Sequence, residues 1–194
     1  MSYYTGIFKK IIKKHKNAQK WDTGNFSGIK SISNTKVGTV GQEFIEWLCG
    51  DLNIPCEFPV NKDGERASQS PWDLKIGGVT FELKTATEDT SNKFQFNHIR
   101  YHREYNAVLC LGVSPDELYF NLWSKADIVT NKAGNLVSMD KGANASYKLT
   151  KTKHELLHID TFATKIKKFI APFKKIAKTK KKAPTKKKAA PRKK

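Results

Sequence analysis

Cysteine is scarce in this chain. Only Cys49, Cys56 and Cys110 occur, with no CxxC pair and an odd one over, which excludes a disulfide framework and a zinc ribbon and leaves reduced thiols. No apolar run approaches the roughly 20 residues of a membrane span, and the N-terminus lacks an uninterrupted apolar signal core. A soluble protein retained inside a cell or virion is therefore expected. Acidic residues are missing from residues 165–194, where 15 of the 36 Lys and Arg fall. The first 164 residues hold the other 21 against 18 acids, so the globular part is only mildly basic.

A chain of 194 residues suits one domain with appendages, since a core of that size can be buried without splitting. Tyr4 to Lys20 sets Ile7, Phe8, Ile11 and Ile12 against Lys9, Lys10, Lys13 and Lys14, an amphipathic basic helix read as packed or DNA-facing. A Gly, Ser and Asn-rich link then leads to Val37–Leu52. There Val37, Val40, Phe44, Trp47, Leu48 and Leu52 recur at helical spacing and define the expected buried stripe. Cys56 to Val60 reads as a strand, Asn61 to Ser70 as a polar loop, Asn92 to Tyr105 as a helix, and Ala107–Val113 and Leu118–Trp123 as strands. Ala126 to Ala145 reads mostly as loop and Lys151 to Phe162 as a last helix. The implied class is α/β of the α+β kind, a central mixed sheet flanked by helices. Residues 1–34 form a basic helix and linker, 35–164 the domain, and 165–194 a Lys-rich tail too polar to order itself.

The segment PWDLKIGGVTFELK, Pro71 to Lys84, carries the most chemistry. Two alternating apolar segments flank Gly77-Gly78, a pair suited to the positive φ angles of a two-residue hairpin turn. The turn fixes a register in which Ile76 faces Val79, Leu74 faces Phe81 and Trp72 faces Leu83, so that face is buried. On the other, open face Lys75 meets Thr80, Asp73 meets Glu82 and Pro71 meets Lys84. Two acids directly across a ladder destabilise one another unless something positive lies between them, and a divalent cation suits the pair. Hard oxygen donors favour Mg²⁺, which would polarise a phosphate and activate a water. Lys84 then orients the attacking water or neutralises charge that builds on the phosphorus.

Asp73, Glu82 and Lys84 resemble the PD-(D/E)xK signature of the restriction-endonuclease-like nucleases, with Pro-Trp-Asp where the pattern has Pro-Asp. The order helix, strand, hairpin, helix, strand over about residues 35–125 is similar as well. The resemblance implies a central mixed sheet, Mg²⁺-dependent hydrolysis of DNA phosphodiester bonds, often by a homodimer, and a metal set of Asp73, Glu82 and Leu83. It also implies an acid on the preceding helix. Glu43 stands beside the expected stripe, whereas Glu46 points about 200° from Phe44, so Glu43 is the candidate. Site-specific cleavage of double-stranded DNA, a junction resolvase or repair nuclease of the same fold, and a non-catalytic DNA-binding or packaging protein all remain open.

Lys75, Lys93, Arg100 and Arg103 are candidate phosphate contacts. The tail binds polyanions by counterion release, or serves as a nuclear-localisation signal or an anchor to packaged DNA. One rival motif remains: His154-Glu155-Leu156-Leu157-His158 spells the HExxH of zinc proteases. No His or Glu follows to supply a third ligand, so the segment is read as a packing helix.

Overall fold

The structure is a computed structural model that describes residues 21, 23–67, 69–142 and 145–182, the last eight by backbone alone. The basic helix expected at Tyr4 to Lys20 lies outside the described residues, as does the end of the chain from 183.

Two sheets form among the described residues, which is the α+β class with a mixed sheet. The larger has six strands, β1 (Cys56–Glu57), β2 (Leu74–Ile76), β3 (Val79–Thr87), β5 (Ala107–Val113), β6 (Leu118–Ser124) and β9 (Leu157–His158), in that spatial order. All its neighbours run antiparallel except β3 and β5, which are parallel. The smaller sheet orders β4 (Lys93–Ile99), β8 (Ser146–Thr152) and β7 (Leu136–Asp140), all antiparallel. Strand β5 is buried at every position because side chains alternate across a sheet with both faces covered. Ala107, Leu109 and Leu111 join a core with helix α1 (Asn34–Asp51) and the terminal helix, while Val108 and Cys110 join a second core under β4 and β8.

Helix α1 is started by Ser33, whose hydroxyl accepts from the Lys36 N–H. Its buried face differs from the expected stripe. Gly41, Ile45 and Cys49 point inward, whereas Val40 is 42% and Trp47 66% exposed. The reason is Gly41: a Cβ there would lie 1.9 Å from Thr85 Oγ1, so the helix docks on β3 along its glycine edge.

Two expected helices and the start of the expected disordered tail are corrected. Asn92 to Tyr105 is not helical but supplies β4 and a loop; Phe94, Phe96 and Ile99 are buried while Lys93, Gln95 and Asn97 are exposed, a two-residue period. Lys151 to Phe162 is broken into the end of β8, two 3-10 turns and β9. Residues 165–182, expected to be without order, continue α3 (Phe162–Lys182), because Phe162, Ile166 and Ile170 form an i, i+4, i+8 stripe buried against β3 and its neighbours. Within the supposed loop Ala126 to Ala145 lie the short helix α2 (Lys125–Val129), held by a Ser124–Asp127 capping box, and β7. The strand at Cys56 stops at Glu57, with one further bridge from Val60 to Arg66. No helix among the described residues is long and apolar enough to cross a membrane.

Candidate active site

The hairpin carries the site. Gly77 and Gly78 have φ of 55° and 90°, the left-handed pair a two-residue turn demands. The ladder pairs Leu74 with Phe81, Lys75 with Thr80 and Ile76 with Val79, the register expected from the turn. Phe81 and Leu83 are thereby driven into the helix-side core, and Glu82 and Lys84 onto the opposite face. That face is not open, however. Sheet β4-β8-β7 covers it, and Glu82 is only 4% exposed.

Asp73 lies just past the end of the ladder instead of squarely opposite Glu82. Its N–H donates to the Phe81 carbonyl, and its Oδ2 accepts from the Leu83 N–H at 2.7 Å. Pro71 accordingly has no place opposite Lys84. Glu82 Oε1 takes the Lys84 ammonium at 2.8 Å, and Oε2 accepts the Arg100 N–H at 3.1 Å. Burial pushes the Asp73 carboxyl above the usual carboxylate range, against the opposing pull of Lys84 and the Leu83 N–H. Burial also pushes the Tyr105 hydroxyl far above its ordinary value, with Glu82 facing it as the second cause.

A cavity of about 860 Å³ opens over Asp73, lined on its cationic side by Arg66, Arg100 and Arg103. A neighbouring cavity of about 520 Å³ is lined by Lys84 and the main chain around Leu83. The two share His98 and run along one face of α1, where Asn34, Gly38 and Gln42 follow at four-residue intervals. Together they make a cleft. Asp73 lines the larger cavity and Lys84 the smaller, while Glu82 lies buried behind them, joined to Lys84 and lining neither. Arg103 is fixed there by a hydrogen bond from Nη1 to the Ser70 carbonyl, and Arg66 lies over the Phe58 ring.

The remaining candidates divide. Arg100 and Arg103 line the cleft, but Lys75 pairs with Glu57 at the hairpin edge, and Lys93 is an exposed residue at the start of β4 that lines neither cavity. Glu43 is exposed on the side of α1 away from Gly41 and Ile45, and Gln42 is the residue that reaches the cleft. Leu83 offers only its main chain, its side chain being in the core. His154 and His158 share no helix, and Glu155 is engaged with Lys151 and Thr152. Gln42 and His98 were missed in the sequence. Gln42 carries no charge to draw notice, and His98 lies in the segment read as a helix.

The donor set suits a hard divalent cation. Glu82 takes the Lys84 ammonium and Asp73 the Leu83 N–H, and each bonded carboxylate oxygen keeps a second lone pair. No group of three or more His, Cys, Asp or Glu that could hold a metal occurs among the described residues. Compared with protein families, curated proteins and solved structures, the chain matches none.

Proposed function

We propose that this chain is a Mg²⁺-dependent endonuclease that hydrolyses DNA phosphodiester bonds, with a restriction-endonuclease-like core and site-specific cutting. The observation that carries the reading is the grouping of Asp73, Glu82 and Lys84 on one side of the hairpin, with Asp73 in a cavity lined by Arg66, Arg100 and Arg103 and Lys84 in the adjoining one. Asp73 and Glu82, with the Leu83 main chain between them, would hold the metal. The chemistry a bound Mg²⁺ would supply there is polarisation of the scissile phosphate and activation of a water.

The chain's own groups divide the rest of the work. Lys84, held 2.8 Å from Glu82, is placed to orient the attacking water or to offset charge gathering on the phosphate oxygens. The Arg100 N–H and the Leu83 N–H fix the two carboxylates, so neither has to be ordered when substrate arrives. Arg100 and Arg103 take backbone phosphates, which positions the strand without reading its sequence.

The test is digestion of mixed plasmids with and without Mg²⁺, followed by sequencing of the ends. Discrete fragments support a site-specific enzyme, and cutting confined to four-way junctions supports a resolvase. Asp73→Asn should lower the rate at least about a thousandfold and Lys84→Ala about a hundredfold or more. Tight DNA binding with no Mg²⁺-dependent cutting by the unaltered chain would overturn the proposal in favour of a binding protein.

A further inference from the structure

His98 occupies the point where the two cavities of the cleft meet. It has φ of 57°, a left-handed conformation that non-glycine residues seldom adopt, at an irregularity that shifts the β4–β8 register between Phe96 and Ile99. Bulges of this kind re-aim a side chain, and strain of this kind persists only where the surroundings impose it. Here the surroundings are explicit. The His98 N–H meets Met139 Sδ at 3.4 Å, and His98 Nδ1 lies 3.2 Å from Ser146 Oγ and 3.5 Å from Asp140 Oδ2.

The network assigns the ring's tautomer. Ser146 is fully buried, and its single hydroxyl proton is directed to Asp140 Oδ2. Its oxygen can therefore only accept from His98, so Nδ1 carries a hydrogen. That leaves Nε2 as the free edge of a side chain 53% exposed. In the neutral ring this edge is a lone pair that repels an anion, and in the imidazolium it is a donor. The charged groups around it are Asp140 from β7, Arg100 two residues along its own segment, Asp73, Arg66 and Arg103 around the larger cavity, and Lys84 and Asp89 around the smaller.

We propose that His98, held by Asp140 and Ser146, is a phosphate-binding residue of the cleft whose Nε2–H takes a backbone phosphate of the bound nucleic acid when the ring is protonated. It rests on the nucleic-acid reading of the cleft. Asp140 sets the need for it: its carboxylate on the cavity wall repels a phosphate, and the imidazolium offsets that charge while offering a donor.

The experiment uses the full chain without divalent metal and a short DNA duplex, at about 0.3 M salt to weaken contacts made by the exposed lysines. Affinity is measured at about pH 5.5 and at about pH 8. The unaltered chain should bind roughly tenfold tighter at the lower pH, the scale of one charge-assisted hydrogen bond. His98→Asn, chosen because asparagine tolerates a left-handed φ, should lose that ratio, while His158→Gln keeps it. Imidazole ¹⁵N spectra should show the neutral His98 ring protonated on Nδ1, and Asp140→Ala should move the proton to Nε2 by freeing the Ser146 hydroxyl. A pH ratio that survives His98→Asn, or a neutral ring already protonated on Nε2, would overturn the proposal. Lost cleavage has a separate meaning. If Mg²⁺ never supports cutting but His98→Asn abolishes the pH ratio, the endonuclease reading fails and this one stands.

Discussion

Asp73 is subject to opposed demands. Its carboxylate fixes the Leu83 N–H and supplies charge at the cleft floor, yet burial makes that charge costly to hold. Its folded pKa is raised, so the fold favours the protonated form: this contribution is fully present below the unfolded carboxylate value and is lost as pH rises through the folded one. Asp73→Asn copies the neutral form. It should therefore melt at a higher temperature than the parent near pH 7, with the difference shrinking as pH falls through the raised value, although cleavage is lost. Added Mg²⁺ should raise the Tm of the parent and leave that of Asp73→Asn where it is. Glu43 gives the contrasting case. As an exposed helix acid it should tolerate Glu43→Ala with cleavage changed by less than about twofold, since surface changes away from a site alter energies by only tenths of a kcal/mol. Assays of initial rate on one plasmid check both.

Among the elements, two glycines hold α1 and the hairpin in register with the sheet. Gly41→Ala would set a methyl 1.9 Å from Thr85 Oγ1, forcing α1 away from β3 and taking Gln42 from the cleft wall. We expect a loss of about 2–3 kcal/mol by chemical denaturation, as for other overpacked contacts. Gly77→Ala meets Ile170 Cδ1 at 2.5 Å as well as the left-handed backbone, so it should cost more than Gly78→Ala, for which backbone strain of about 1 kcal/mol is the only term. What was legible in the sequence follows the same division between local and distant causes. The hairpin register could be read because Gly77-Gly78 sets it within a few residues. β4 could not, because Phe94, His98, Tyr101 and Tyr105 also satisfy a helical period, and only the pairing of Phe96 with Leu149, far along the chain, decides for a strand. The Glu82 and Lys84 side of the hairpin was legible as a polar face but not as a covered one, since its cover arrives from that same distant pairing. Likewise the HExxH spelling lost its meaning once Glu155 closed a capping box with Thr152.

For the molecule as a whole, the division between globular part and basic tail falls later than charge suggests. Net charge places it at residue 165, but apolar spacing carries α3 onward through Ile166 and Ile170, and the Gly77 turn packs on Ile170. Full burial of each such side chain is worth about 1.5–3 kcal/mol, so Phe162, Ile166 and Ile170, with the partly buried Phe169 beside them, tie α3 to the hairpin side of the core. Two truncations separate the roles. Ending the chain at residue 164 should leave a protein without a cooperative thermal transition, because the hairpin's apolar face then meets water. Ending it at 182 removes no residue of that core and should keep the Tm within about 2 °C. The shorter cut still deletes Lys186, Lys187, Lys188, Arg192, Lys193 and Lys194. If those residues contact phosphates, the plot of log affinity against log salt should flatten by up to about 5 units, at about 0.9 for each contact. Circular dichroism melts and gel shifts at several salt concentrations give both readouts, and an unchanged slope would assign DNA affinity to the cleft in place of the tail.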